Sequence, residues 1–301
     1  MSTELDAVYE ELMRLKGDGL DRVFIDDATL ALLKPMKRPA PAPAKITDEL
    51  KNLIDRRPET DTPPQTASQA AKPIATTGKP IPAAPTIELP EGSAEQRMKW
   101  LQEQVLNCTT CKDHLSQFGK IVFGCGNPSA DIFFCGEAPG ADEERTGEPF
   151  VGQAGQLLNK IIQAMGIQRE DVYLTNILKW RPEHDKPYGN RPPTDEEMNF
   201  CLPYLKAQVE VVQPKVIIAL GKTAISGLMK LPPRDLHIKQ TRGNWKHFCN
   251  IPMMPTYHPS YLLHNNTLGT KREVWEDMLL VMEKVGLKIS DKQRSFFLPK
   301  A

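Results

Sequence analysis

Several short stretches of the 301-residue chain carry side chains able to do chemistry. Gly136-Glu137-Ala138-Pro139-Gly140 places a carboxylate in a turn bounded by glycine and proline, with Asp142, Glu143 and Glu144 close behind it. Carboxylates so placed can orient a water or balance a developing cation, or can be plain solvated surface. Asn176, in the pair Thr175-Asn176, offers a hydrogen-bond donor and an acceptor together, although an asparagine there also serves as an ordinary turn or cap. His258 is an imidazole fixed in the chain by Pro259 and able to donate to a developing oxyanion. Phe150, in Glu148-Pro149-Phe150-Val151-Gly152, supplies an aromatic face or a core contact. Cys108-x-x-Cys111 is a thiol pair compatible with metal or redox chemistry, though no second pair accompanies it to make a zinc site convincing.

These groups need elements to hold them. Ser93 to Gln96 reads as a capping box ahead of Met98, Leu101, Val105 and Leu106. From there strands and helices alternate. Residues 131–140 are a buried strand running into the glycine turn, 152–166 an amphipathic helix closed by Gly166, and 171–176 a second strand. A capping box at Thr194–Glu197 opens a helix to about Val212, and 215–221 is a third strand followed by a short helix. Residues 252–260 supply the fourth strand and 271–286 the closing helix. This order predicts a three-layer α/β/α domain over 93–301 around a central four-stranded parallel sheet. In such sheets the site lies beyond the carboxyl ends of the strands, and those ends read GEAPG, TNILK, LGKTA and YHPSYLL.

The rest of the chain has another character. Prolines number 27, about 9% against a roughly 5% average. Twelve fall between Pro35 and Pro90, with one glycine and no aromatic residue. Such a segment cannot bury enough apolar surface to offset its ordering entropy, so 35–92 is expected to be a disordered tether. Residues 1–34 read as a helical segment with Leu5, Val8, Leu12 and Leu15 at helical spacing. The zero net charge conceals an asymmetry: residues 1–95 hold 12 basic and 16 acidic side chains, and 96–301 hold 26 and 22. Lys206 to Arg272 contains ten basic residues against Glu210 and Asp235, a basic face suited to nucleic acid or simply to solvent. No apolar run approaches the roughly 18 residues a membrane span needs, and the acidic start is unlike a secretory signal. The expectation is a cytoplasmic protein with no membrane partner, whose six cysteines are thiols or metal ligands rather than bridges.

Gly136–Gly140, Glu148–Gly152, Thr175-Asn176 and His258-Pro259-Ser260-Tyr261-Leu262-Leu263 together resemble the motifs of the family 4, iron–sulfur type, uracil-DNA glycosylases, in order and at similar spacings, over about residues 95–285. The resemblance implies a DNA repair enzyme that flips uracil out of DNA and hydrolyses its N-glycosidic bond, leaving an abasic site. Gly136, Glu137 and Ala138 would meet the base through their backbone, Phe150 would stack on it, and Asn176 would read its edge. His258 would donate to O2 of the leaving anion, Glu143 would orient the water, and Glu137 would shape the pocket. Tyr261, Leu262 and Leu263 would form the wedge that fills the vacated stack. Lys222, Lys239, Arg242 and Lys271 are phosphate-contact candidates without a motif to order them.

The family commonly holds a [4Fe-4S] cluster on four cysteines. Cys108, Cys111 and Cys201 match three of them, and Trp180 stands at the remaining position. His184 or Asp185 could complete the set, Cys125 or Cys249 could reach in, or there is no stable cluster and Trp180 fills its space. His264 also departs from relatives that continue with arginine. Two further readings stay open beside a monomeric glycosylase: a DNA- or uracil-binding module with little turnover, and an accessory domain working with a DNA polymerase. In either, residues 1–92 could dock a replication or repair protein.

Overall fold

The computed structural model describes residues 80–182 and 190–298. Strands β1 (Cys125–Gly126), β2 (Ile132–Gly136), β3 (Tyr173–Asn176), β4 (Val216–Leu220), β5 (Lys246–Phe248) and β6 (Ile251–Thr256) form one sheet in the order β1-β3-β2-β4-β6-β5. The four expected strands are its parallel centre: β2 pairs with β3 and β4, and β4 with β6. Short antiparallel strands flank them at both edges, β1 on β3 and β5 on β6. The expected four-stranded sheet is therefore a mixed six-stranded one. The edge strands are only two and three residues long, too short to show a period-two pattern in sequence.

Every residue of β2, β3 and β4 is buried, as continuous apolar runs such as Val216-Ile217-Ile218-Ala219-Leu220 require when helices cover both faces. One face packs with α1 (Ala94–Asn107), α2 (Thr109–Asp113) and α5 (Asp195–Val212) in a core that includes Leu101, Phe133, Tyr173, Trp180 and Leu205. The other packs with α4 (Gln153–Ala164) and α9 (Leu268–Val285) around Phe134, Leu158, Ile218, Trp275 and Met278. The capping boxes read from sequence are present: Ser93 Oγ accepts from Gln96 N at 3.3 Å and Thr194 Oγ1 from Glu197 N at 3.2 Å. Between these elements lie α3 (Ala141–Thr146), α6 (Lys222–Met229), α7 (Ile238–Thr241) and α8 (Pro259–His264), with α10 (Asp291–Arg294) at the end.

The expected helical segment over 1–34 and most of the expected tether lie outside the described residues. Its last part does not. Residues 80–90 have no helix or strand, yet Ile81, Ile87 and Leu89 pack against the α1–α5 side of the core. This end of the proline-rich stretch belongs with the domain, because these three apolar side chains are packed against its core. No helix among the described residues is long and apolar enough to cross a membrane.

Candidate active site

Gly136 and Asn176 end adjacent parallel strands as register partners. The ladder continues beyond them, since Ile177 N donates to Gly136 O at 3.0 Å and Leu178 N to Glu137 O at 3.0 Å. A Cβ at Gly136 would stand 2.3 Å from Asn176 Oδ1 and 2.8 Å from Phe150 Cζ, so only glycine lets the amide and the ring approach here. Asn176 is 2% exposed, and no hydrogen bond among the described residues uses its side-chain amide. A buried amide without an internal partner is one held ready for a ligand.

Behind β3 a buried lysine fixes this strand end. Lys179 Nζ donates to Gln208 Oε1 (2.7 Å), Thr175 Oγ1 (2.8 Å), Asn176 O (2.8 Å) and Phe123 O (3.3 Å). Burial pulls its pKa down to about 8, and the oxygens surrounding it replace the water it has lost. Nothing in the sequence marks this residue except its place three positions after Asn176.

Phe150 adopts φ 55°, a left-handed conformation rare for an aromatic residue. Arg169 holds it there, with Nη1 on Phe150 O at 3.3 Å and Nη2 on Pro149 O at 2.5 Å, itself steadied by Asn159 Oδ1 at 2.8 Å. Such strain persists only where surroundings enforce it, and it clusters at ligand clamps. The ring centroid lies 6.3 Å from that of His258.

His258 caps α8, and Pro259 occupies the first helical position, where its missing N–H costs nothing. Ser260 N donates to His258 Nδ1 at 3.2 Å, and Ser260 Oγ lies 2.7 Å from the same nitrogen. A backbone N–H can only donate, so Nδ1 is the acceptor and the neutral ring carries its proton on Nε2. Burial pushes the imidazole pKa down from 6.5 to about 4, which keeps the ring neutral at physiological pH. Gly221, at φ +89°, lies under this residue, and a Cβ there would come within 2.8 Å of His258 Cβ. The sign of the titration follows: an unfolded chain takes up this proton near pH 6.5, the folded one only near 4, so His258 lowers stability as pH falls through that window. Two-dimensional NMR of the ring should give a midpoint near 4, and one near 6.5 would refute the buried neutral donor.

The carboxylates divide by environment. Glu143 Oε1 accepts from Val151 N and Gly152 N, both at 3.0 Å, and Oε2 from Gly140 N at 3.1 Å. A carboxylate offers about four acceptor positions, so Oε2 keeps one for a water while the group ties the first motif to the second. Glu137 hydrogen-bonds Thr223 at the start of α6, and burial raises its pKa above the ordinary carboxylate value. Asp142 is exposed beside Arg145, but Glu144 is not mere surface. It is 6% exposed, accepts from Ser116 N at 3.2 Å and pairs with Arg181 at 3.4 Å.

Two of the DNA-contact expectations change. Leu262 faces inward with Tyr257 and Val274, because the turn of α8 that exposes its neighbours points it at α9. Tyr261, stacked on Tyr257 at 4.7 Å, and Leu263 remain exposed, at 38% and 41%. Arg242 is spent inside the fold: its guanidinium is bidentate on Asp277 at 2.7 and 3.0 Å and also bonds Glu273 O. Lys222 and Lys239 are exposed and Lys271 half-buried.

The cysteine set was tested against a cubane. Cys108, Cys111 and Cys201 do come together: Cys111 N donates to Cys108 Sγ at 3.5 Å, and Cys111 and Cys201 share one buried cluster against which Cys108 packs. Cys125 does not reach them, lying beside Arg169 at 3.5 Å and packed against the other core, and Cys249 is exposed. His184 and Asp185 lie outside the described residues. Among those described, no group of three or more His, Cys, Asp or Glu is arranged to hold a metal ion. Among the described residues the three thiols that come together are one short of the four ligands such a cluster takes.

With this geometry in place, comparison with known proteins is direct. A model of the uracil DNA glycosylase superfamily matches residues 123–279. The chain is 42% identical over 187 residues to the type-4 uracil-DNA glycosylase of Thermotoga maritima, covering 61% of this chain and 92% of that protein. To the type-4 uracil-DNA glycosylase of Archaeoglobus fulgidus it is 36% identical over 201 residues, 64% of this chain and 94% of that one. A DNA polymerase of Bacillus phage SP01 matches at 32% identity over 154 residues, half of this chain but 16% of that protein. The strand ends that gather Gly136, Phe150, Asn176 and His258 are thus those of a chain that belongs to the type-4 uracil-DNA glycosylases.

Proposed function

We infer that this domain takes uracil out of a DNA stack, hydrolyses its N-glycosidic bond and releases the free base, leaving an abasic site. The observation that carries the reading is the convergence of an unpartnered amide, a clamped aromatic ring and a neutral imidazole around a glycine that admits no side chain. In this reading the base lies against Phe150, and Asn176 pairs with its carbonyl and imide edge, a pattern cytosine does not present. Cleavage places negative charge on O2, where the Nε2–H of His258 donates without first having to lose a proton. Glu143 holds the attacking water through the acceptor position its backbone bonds leave open, and Glu137 shapes the pocket. Amide, imidazole and carboxylate complete this chemistry.

The test is to incubate the purified protein with an oligonucleotide carrying one uracil, treat with alkali to reveal abasic sites, and run matched cytosine and thymine substrates beside it. Strand cleavage confined to uracil is expected. DNA binding by a folded protein without cleavage would favour a binding module of the same fold.

Tyr261 and Leu263 form the part of the wedge that reaches solvent. Leu263→Ala should lower kcat/KM on duplex DNA by roughly tenfold or more, the loss of one buried leucine, and affect single strands far less. Equal losses on both substrates would count against the wedge.

We propose in addition that residues 1–92, which lie outside the matched glycosylase region, dock a replication or repair protein in the cytoplasm. A pull-down with that segment tests it, and recovery of no specific partner would remove it.

A further inference from the structure

We propose that this chain is a type-4 glycosylase that works without an iron–sulfur cluster, Trp180 taking the place of the missing ligand and closing the three remaining cysteines into a metal-free core.

Trp180 stands where a thiolate would be needed, and it is 0% exposed. Its indole stacks on His114 at 5.0 Å between centroids and tilts against Phe200 at 6.0 Å, and Phe200 meets Tyr204 edge-on at 6.4 Å. The Tyr204 side chain in turn lies beside Cys108, close enough to act on it electrostatically. The aromatic chain therefore ends on the cysteines themselves, and Trp180, Phe200, Tyr204, Cys111 and Cys201 belong to one contiguous buried cluster with Cys108 packed against it. Among the described residues the indole Nε1 has no hydrogen-bond partner, so there the ring is held by packing.

The thiols face one another. They gather beside Cys111, whose N–H donates to Cys108 Sγ at 3.5 Å, and among the described residues no fourth protein ligand joins them, the buried indole standing at that place.

The experiment uses the full chain, expressed with added iron and purified with and without oxygen. Iron, acid-labile sulfide and zinc are measured per chain, with absorbance at about 400 nm and melting temperature before and after a chelator. Substoichiometric metal, no band and an unchanged melting temperature are expected. Iron and sulfide near four per chain with a chelator-sensitive melt would overturn the proposal, as would one zinc per chain. Trp180→Cys, expressed without oxygen, should restore the fourth thiolate and gain the band. A folded but colourless Trp180→Cys would overturn the assignment to Trp180. If that variant does not fold, the metal content of the wild type decides on its own. No DNA enters these measurements, so their failure leaves the glycosylase reading untouched.

Discussion

His258→Ala should slow uracil release by roughly 10²–10³-fold while binding of uracil-containing DNA changes little. The Nε2–H meets a neutral carbonyl in the ground state and an anionic oxygen as the glycosidic bond breaks, and only the second interaction lowers the barrier. Because burial holds the ring neutral with a pKa of about 4, the donor needs no proton from solvent, and the step should be insensitive to pH around neutrality on this account. Single-turnover kinetics at saturating enzyme isolate it. Ser260→Ala is the control: it removes the hydroxyl 2.7 Å from Nδ1 but keeps the backbone N–H that fixes the tautomer, so a loss of only a few-fold is expected. A His258→Ala enzyme within about tenfold of wild type would remove the imidazole from the centre of the reaction.

Trp180→Ala should destabilise the domain by about 3–5 kcal/mol, a large fraction of the roughly 5–15 kcal/mol that holds a typical domain together. The indole is fully buried between His114 and Phe200, so its removal leaves a void lined by ring faces and thiols that cannot collapse without moving α2 or α5. Trp180→Phe should cost much less, under about 1.5–2 kcal/mol, because it keeps an aromatic face and forfeits no hydrogen bond among the described residues, the Nε1 having none there. Urea denaturation of the three proteins at equal slope measures both differences. If alanine proved nearly neutral, the ring would not be part of the core's support.

The central fold was open to reading because buried parallel strands announce themselves as unbroken apolar runs, and because Ser93 and Thr194 cap their helices through local bonds. The edges were not. β1 and β5 exist only by pairing with β3 and β6, partners distant in sequence whose position no local pattern encodes. The same division runs through the site. Asn176 and His258 stand at strand ends in recognisable strings, whereas Arg169, which holds Phe150 in a left-handed turn, is an ordinary loop arginine until its contacts are seen. Leu262 illustrates the limit of a motif: three apolar residues in a row look alike until a short helix turns one inward and leaves two outside. Arg242 shows the converse, a basic residue that looks free for phosphate and is committed to Asp277.

The strand order also governs how this protein comes to exist. β2 lies in the middle of the sheet, yet one of its neighbours, β4, begins at Val216, and β6 beyond it ends at Thr256. A chain emerging from a ribosome can pair β2 with β3 early, but that pair presents a fully apolar open edge until some 44 further residues, from Asn176 to Leu220, have been made. At 5–20 residues per second the wait is roughly 2–9 s, long beside the times in which hydrophobic chains collapse. Truncations before Val216 should therefore yield insoluble material, and synthesis of the intact protein should depend on whatever shields that edge while its second half is made.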